Sequence, residues 1–301
     1  MKTETFTAHD GKSVSLKVWD EVQAPRGVLQ IVHGMAEHVS RYNDFACFLN
    51  EAGWIVIGDD HRAHGDTDPD ALGLAGEGDL FENTVADEKG ITALIKERYG
   101  LPVVVLGHSY GSFLTQRYLT LGTQDIAGCV LMGSASMTGF VPDMGRKIAA
   151  KKLKKGQKDA RGNFFAAQTF VKYDKKIKDG INGWLCRDRA EVGKFNTDPQ
   201  CNFTCSNGFY YYFFGGMQAI ARNKGENIRK DLPLLIISGD ADGVGGYGKL
   251  VKKLYKRYLS FGLQPQLQLV AGARHELLNE TNKQEIYRDV LRFMESALQK
   301  A

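Results

Sequence analysis

The sequence predicts an α/β architecture: a mostly parallel central sheet, helices on both faces and a large inserted cap. Three observations predict it. Short apolar runs alternate with segments of helical period through residues 1–137. The alternation stops over 138–229 and resumes over 230–301. A Gly-x-Ser-x-Gly turn joins one of the apolar runs to one of the helices. Alternating strands and helices imply parallel pairing with crossover connections.

The elements follow in order. Residues 3–9 and 13–19 alternate apolar and polar around Asp10-Gly11, which reads as an antiparallel hairpin. Residues 28–32 form a buried strand running into His33-Gly34. Tyr42, Phe45, Ala46 and Leu49 recur at helical spacing over 42–51, closed by Gly53. A strand at 54–57 follows, then a helix at 85–99 with Ile91, Leu94 and Ile95 on one face. Strand 103–106, helix 109–121 and strand 129–132 complete the first core segment. After the insertion come strand 234–238, helix 247–261, strand 266–270 and helix 284–298.

Composition bounds the function. The chain has 301 residues, 43% hydrophobic and 25% charged, which suits a folded core and excludes wholesale disorder. A net charge of +4 is too slight to argue for nucleic acid. No apolar stretch is long enough for a membrane span, and the first ten residues lack the apolar region of a secretory leader. Five Cys at irregular spacing suggest no disulfide framework. Cys129 reads as a small core residue, and Cys201 and Cys205 have no His cluster to complete a metal site. A cytoplasmic protein with reduced thiols is expected.

Gly107-His108-Ser109-Tyr110-Gly111 is weak as a string and strong in context. It lies between the strand Val103-Val104-Val105-Leu106 and a helix, the strand–turn–helix of a nucleophile elbow in an α/β-hydrolase fold. A tight turn there exposes the hydroxyl at the C-terminal edge of the sheet. The helix N-terminus offers N–H groups to a developing oxyanion. A serine hydroxyl also needs a base. The fold's chain order is Ser, then an acid, then His. Of the seven His, only His275 follows Ser109, in the loop after strand 266–270. The orienting acid belongs in the turn Ser238-Gly239-Asp240-Ala241-Asp242. Asp240 and Asp242 are two apart, so spacing leaves the choice open.

Four segments carry a resemblance. His33-Gly34-Met35-Ala36-Glu37-His38 with Arg41-Tyr42 resembles H-G-x-G-E-H…R-Y. Asp60-His61-Arg62-Ala63-His64-Gly65 resembles D-x-R-G-H-G. The serine pentapeptide resembles G-H-S-M-G, and Arg274-His275-Glu276-Leu277-Leu278-Asn279-Glu280 resembles the segment around a catalytic His. Together they resemble the monoacylglycerol lipase and lysophospholipase group of α/β hydrolases, grouped also with the serine aminopeptidase-like hydrolases. The resemblance covers both core segments. It implies Asp242 as the acid, the last residue of a G-x-x-D turn. It implies the backbone N–H groups of Met35 and Tyr110 as oxyanion donors, and the insertion as a cap lining an acyl tunnel. Ala36 and Ala63 stand where the family has Gly, and Tyr110 where it has Met. The last would add a bulky hydroxyl-bearing group near the pocket.

Other signals read more plainly. His61 and His64 beside Asp59 and Asp60 match no metallohydrolase spacing, and the resemblance implies a structural loop there. Glu37 and Arg41 read as an ion pair holding the oxyanion loop. The basic run 146–161 reads first as a solvated cap helix, then as a contact with a membrane surface or anionic headgroups. The aromatic run 209–214 is expected to serve both as cap core and as ligand wall.

The expectation is therefore ester hydrolysis through an acyl-enzyme. Ser109 is nucleophile, His275 base, Asp242 its orienter, and Met35 and Tyr110 the oxyanion donors. No metal or organic cofactor is expected. The expected substrate is a small-molecule ester, a monoacylglycerol or lysophospholipid, with a peripheral membrane contact through the cap. A short-chain carboxylesterase and a catalytically silent binding protein of the same fold are the rival readings.

Overall fold

The computed structural model describes residues 1–299. Eight strands form one sheet in the order β1-β2-β4-β3-β5-β6-β7-β8. β1 (Lys2–Thr7) and β2 (Ser13–Trp19) are the antiparallel hairpin, and β2 also runs antiparallel to β4 (Trp54–Asp59). The remaining strands are parallel: β3 (Gly27–Val32), β5 (Val103–His108), β6 (Gly128–Met132), β7 (Leu234–Gly239) and β8 (Gln266–Val270). β3, β4, β5, β6 and β7 are buried along their whole length. That explains their continuous apolar runs, since parallel strands are covered on both faces.

Strand alternation sorts the core into two layers. Leu29, Ile31, Val104 and Leu106 face α1 (Asn43–Glu51) and α10 (Lys283–Leu298). Val28, Val32, Val103 and Val105 face α2 (Leu80–Tyr99), α3 (Tyr110–Thr120) and α9 (Lys249–Ser260). α2 starts five residues before the apolar period suggests. The reason is a cap: Asp79 accepts from the N–H groups of Phe81 and Glu82. Its far end stops at Gly100, in left-handed conformation.

Between β6 and β7 the chain forms five helices: α4 (Phe140–Leu153), α5 (Asn163–Gln168), α6 (Phe170–Ile177), α7 (Arg189–Thr197) and α8 (Asn207–Arg222). α8 carries the aromatic run and packs on α2, α3 and α4. Phe209 and Tyr210 are buried, and Phe213 packs on Phe81 and Phe113. The run supplies core, with Tyr211, Tyr212, Phe213 and Phe214 half-buried and packed against it. A separate small core gathers Trp184, Leu185, Val192 and Phe195.

Candidate active site

Ser109 lies between β5 and α3 with φ 50° and ψ −116°, a conformation costly for a non-glycine residue. The flanking glycines allow the turn. A Cβ at Gly107 would lie 2.3 Å from Thr115 Oγ1, and one at Gly111 would lie 2.0 Å from the Val32 carbonyl oxygen. Both ends of the pentapeptide are therefore held to glycine by close approach, on top of the strained serine.

The Ser109 hydroxyl lies 2.8 Å from His275 Nε2, and His275 Nδ1 lies 3.1 Å from Asp242 Oδ1. His275 is 1% exposed and Asp242 is fully buried. Asp242 also accepts from the Val244 N–H at 2.8 Å and the Ser238 hydroxyl at 3.0 Å. Burial alone would raise its pKa, but His275 and these hydrogen bonds bring it below the usual range. With Nδ1–H donating to that carboxylate, Nε2 is free to accept from the serine. Of the two acids, Asp242 is the one that meets the His275 ring. Asp240 turns outward and accepts from the Gly272 N–H at 2.7 Å, forming the turn.

Met35 follows β3 and lines the pocket with Ser109 and His275; Tyr110 opens α3. Among the described residues, neither backbone N–H donates to a protein acceptor. The Tyr110 side chain departs from expectation. It is 2% exposed, stacks on His64 and packs against Phe81, Phe209 and Phe213, away from the pocket. Ala36 and Ala63 have φ of 57° and 66°. Glycine in the family resemblance matches that left-handed backbone, which alanine adopts at a cost of about 1–2 kcal/mol.

A buried ion network surrounds these groups. Glu37 accepts from the Gly34 N–H at 2.6 Å, Tyr42 at 3.0 Å and Arg41 at 2.5 Å, and lies 3.2 Å from His108 Nδ1. Arg41 continues to Glu276 through two bonds of 2.7 Å. Burial works against both carboxylates, yet Arg41 holds both below their usual range. Burial likewise opposes charge on His108, and Glu37 raises it above the usual imidazole value. Three members adjoin the candidate site residues along the chain: His108 precedes Ser109, Glu276 follows His275, and Gly34 precedes Met35. The Glu37–Arg41 pair was legible in the sequence. Glu276 and His108 were not, because nothing local marks their partners. His38 joins the same loop to the end of α7 through Asp198, at 2.9 Å.

The pocket over Ser109 is walled by Met35, Phe170, Trp184, Leu185, Phe195 and Phe203, with Asn182 and Asn202 among its polar residues. The Trp184 ring centroid is 5.0 Å from that of His275. Apart from Met35, these wall residues come from the inserted segment. His64 accepts from the Ala36 N–H at 3.2 Å, while His61 turns to Asp59 and Glu88, so the two histidines do not share one cluster.

Comparison with known proteins agrees with this geometry. The chain is 25% identical over 237 residues to the monoglyceride lipase of Mus musculus, covering 77% of this chain and 71% of that one. It is 26% identical over 301 residues to the monoacylglycerol lipase of Mycolicibacterium smegmatis, covering 98% and 97%. A thermostable carboxyl esterase from Bacillus coagulans, solved in complex with glycerol, superposes with a TM-score of 0.90 at 26% identity, covering 99% of this chain and 98% of that one. The model of the family described as serine aminopeptidase, S33 matches residues 23–282. With its sheet order and serine elbow, the chain belongs to the serine aminopeptidase S33 family of α/β hydrolases.

Proposed function

We propose that the chain hydrolyses carboxylic esters of single-chain lipids, monoacylglycerols or lysophospholipids, through an acyl-enzyme. The observation that carries the reaction is the continuous hydrogen-bonded run from Ser109 through His275 to Asp242. His275 Nε2 takes the serine proton as Oγ attacks the ester carbonyl. Asp242 holds the resulting imidazolium. The Met35 and Tyr110 N–H groups receive the oxyanion. His275 then gives its proton to the departing alcohol, leaving the acyl group on Ser109. Water, activated by the same nitrogen, releases the acid and restores the serine.

The apolar wall of Met35, Phe170, Trp184, Leu185 and Phe195 supports an acyl chain as ligand. The lipases among the chain's relatives support the same substrate class. We assign residues 138–229 as the cap between core segments 1–137 and 230–301. Phe140 and Val141 stand 72% and 61% exposed at the start of α4, ahead of the exposed Lys151, Lys154 and Lys155. That pairing supports a peripheral contact with anionic membrane surfaces. Among the described residues, no helix is long and apolar enough to cross a membrane. A short-chain carboxylesterase is the second reading, favoured by how closely Trp184 stands over His275.

The reaction is tested with a fluorophosphonate probe and a chromogenic acyl ester. Wild-type protein labels at Ser109 and turns over the ester; Ser109→Ala does neither while keeping its circular dichroism. Undiminished turnover by Ser109→Ala would end the proposal. A chain-length series separates long-chain from short-chain preference.

A further inference from the structure

Beneath the oxyanion loop lies a buried group that the reaction does not use. Asp59 ends β4, His61 follows it, and Glu88 comes from α2; none is more than 1% exposed. His61 Nδ1 stands 2.9 Å from Asp59 Oδ2 and 3.2 Å from Glu88 Oε1. One ring N–H cannot fully serve two carboxylates. Gln30 Nε2 donates to the other Glu88 oxygen, Oε2, at 2.7 Å. Asp59 Oδ1 and Glu88 Oε1 are then left buried without a donor among the described residues. Unpaired buried carboxylate oxygens are costly, and two ionised carboxylates with oxygens within 4.8 Å of each other repel strongly away from water. The donor count closes when one proton lies between them. Glu88 is then a neutral acid, Asp59 a carboxylate and His61 an imidazolium, so the buried group has no net charge.

His61 connects this group to the oxyanion loop. Its Nε2–H donates to the His33 carbonyl at 3.1 Å, and its backbone N–H donates to His33 Nε2 at 3.0 Å. The two rings stack with centroids 3.8 Å apart. Because His33 Nε2 accepts, its proton sits on Nδ1, which donates to the Gly34 carbonyl oxygen at 2.7 Å. That carbonyl and the Met35 N–H belong to one planar trans peptide and point in opposite directions. Whatever holds the Gly34 oxygen aims the Met35 N–H.

We propose that Asp59 and Glu88 share one proton, and that this acid pair, acting through His61 and His33, positions the Met35 N–H toward the oxyanion. Its kinetic consequence rests on the ester-hydrolase reading above; its thermal consequence does not. Burial, with the Asp59 charge, pushes the Glu88 carboxyl up to about 8. Burial opposes charge on His61, but Asp59 and Glu88 raise it well above the usual imidazole value. The facing groups are His33 just after β3, His64 from the loop, Tyr110 and Tyr118 from α3, and Asp87 on α2, paired with Arg62. Burial lowers the two histidines and raises the two tyrosines. A carboxyl whose folded pKa is raised stabilises the fold most below its unfolded value of 4.5. That contribution is lost as pH climbs to about 8 and is constant above it.

Glu88→Gln tests the proton, because its amide is a permanent donor toward Asp59 and its oxygen still accepts from Gln30. The expected result is a Tm difference, Glu88→Gln minus wild type, that grows from pH 5 to about 8 and then levels. At pH 7 its kcat and KM on a soluble nitrophenyl ester stay within about twofold of wild type. Glu88→Leu, with no donor, lowers kcat about tenfold at unchanged KM, a partial loss of one oxyanion donor. A Tm difference flat across pH, full kcat in Glu88→Leu, or one equivalent of metal per chain by elemental analysis each overturns the proposal. If Glu88→Leu fails to fold, the thermal profile of Glu88→Gln decides alone. A flat profile with Ser109 still labelled by fluorophosphonate overturns the shared proton and leaves the hydrolase reading standing. Absent labelling in wild type does the reverse.

Discussion

Arg41 and Glu276, 235 residues apart in the chain, are joined by two parallel hydrogen bonds of 2.7 Å in the buried interior. The pair ties the turn after the Met35 loop to the neighbour of His275, the proposed base. It is a bidentate geometry that lysine cannot copy. Glu276→Ala leaves the guanidinium with Glu37 alone and strips the loop of its anchor. We expect a loss of about 3 kcal/mol in urea unfolding, the range for breaking a buried pair. Arg41→Lys should lower kcat more than it raises KM. Wild-type stability in Glu276→Ala would show that the pair holds nothing.

Asp242 fixes which nitrogen of His275 carries the proton. Asp242→Asn can donate to Nδ1 and so favour the wrong tautomer. The expected effect is a fall in kcat of about 10⁴-fold at little cost in KM, with Ser109 labelling by fluorophosphonate slowed in parallel. The measurement is steady-state kinetics on a nitrophenyl ester. Activity within tenfold of wild type would move the orienting role elsewhere.

His64 is buried under the oxyanion loop, and burial, aided by the charge on His61, lowers it to about 4. Its neutral Nε2 accepts from the Ala36 N–H, a role the protonated ring cannot fill. The unfolded chain takes up a proton below its ordinary value of 6.5, and the folded chain does not until about 4. Stability is therefore complete above pH 6.5 and falls as pH drops toward 4, by at most about 1.4 kcal/mol per unit. His64→Gln, which retains an acceptor, should flatten this segment of the Tm–pH curve. An unchanged slope would assign the acid sensitivity to other groups.

Trp184 stands over the His275 ring and stacks on Phe170 at 5.3 Å. Removing it opens the pocket wall. Trp184→Ala should shift the nitrophenyl-ester optimum toward longer acyl chains, while costing about 3–5 kcal/mol of stability as a large-to-small change. A chain-length profile identical to wild type would place the acyl chain elsewhere.

What could be read from the sequence is what neighbouring residues decide. Apolar runs bounded by turn residues marked the strands, and Gly107 to Gly111 marked the elbow because steric approach at its two glycines leaves little choice. His275 was the candidate base because it is the one His after Ser109 and sits in the loop after a strand. Tertiary packing decided the rest. It chose Asp242 over Asp240, which differ in direction and not in local pattern. It buried the Tyr110 side chain among Phe81, Phe209 and Phe213, and it turned the α8 aromatics into core. It brought Arg41 to Glu276 and Asp59 to Glu88, pairs whose partners lie on separate elements. Local sterics and periodicity act over a few residues and are written in the sequence. The pairing of buried charges depends on where whole strands and helices come to rest against each other.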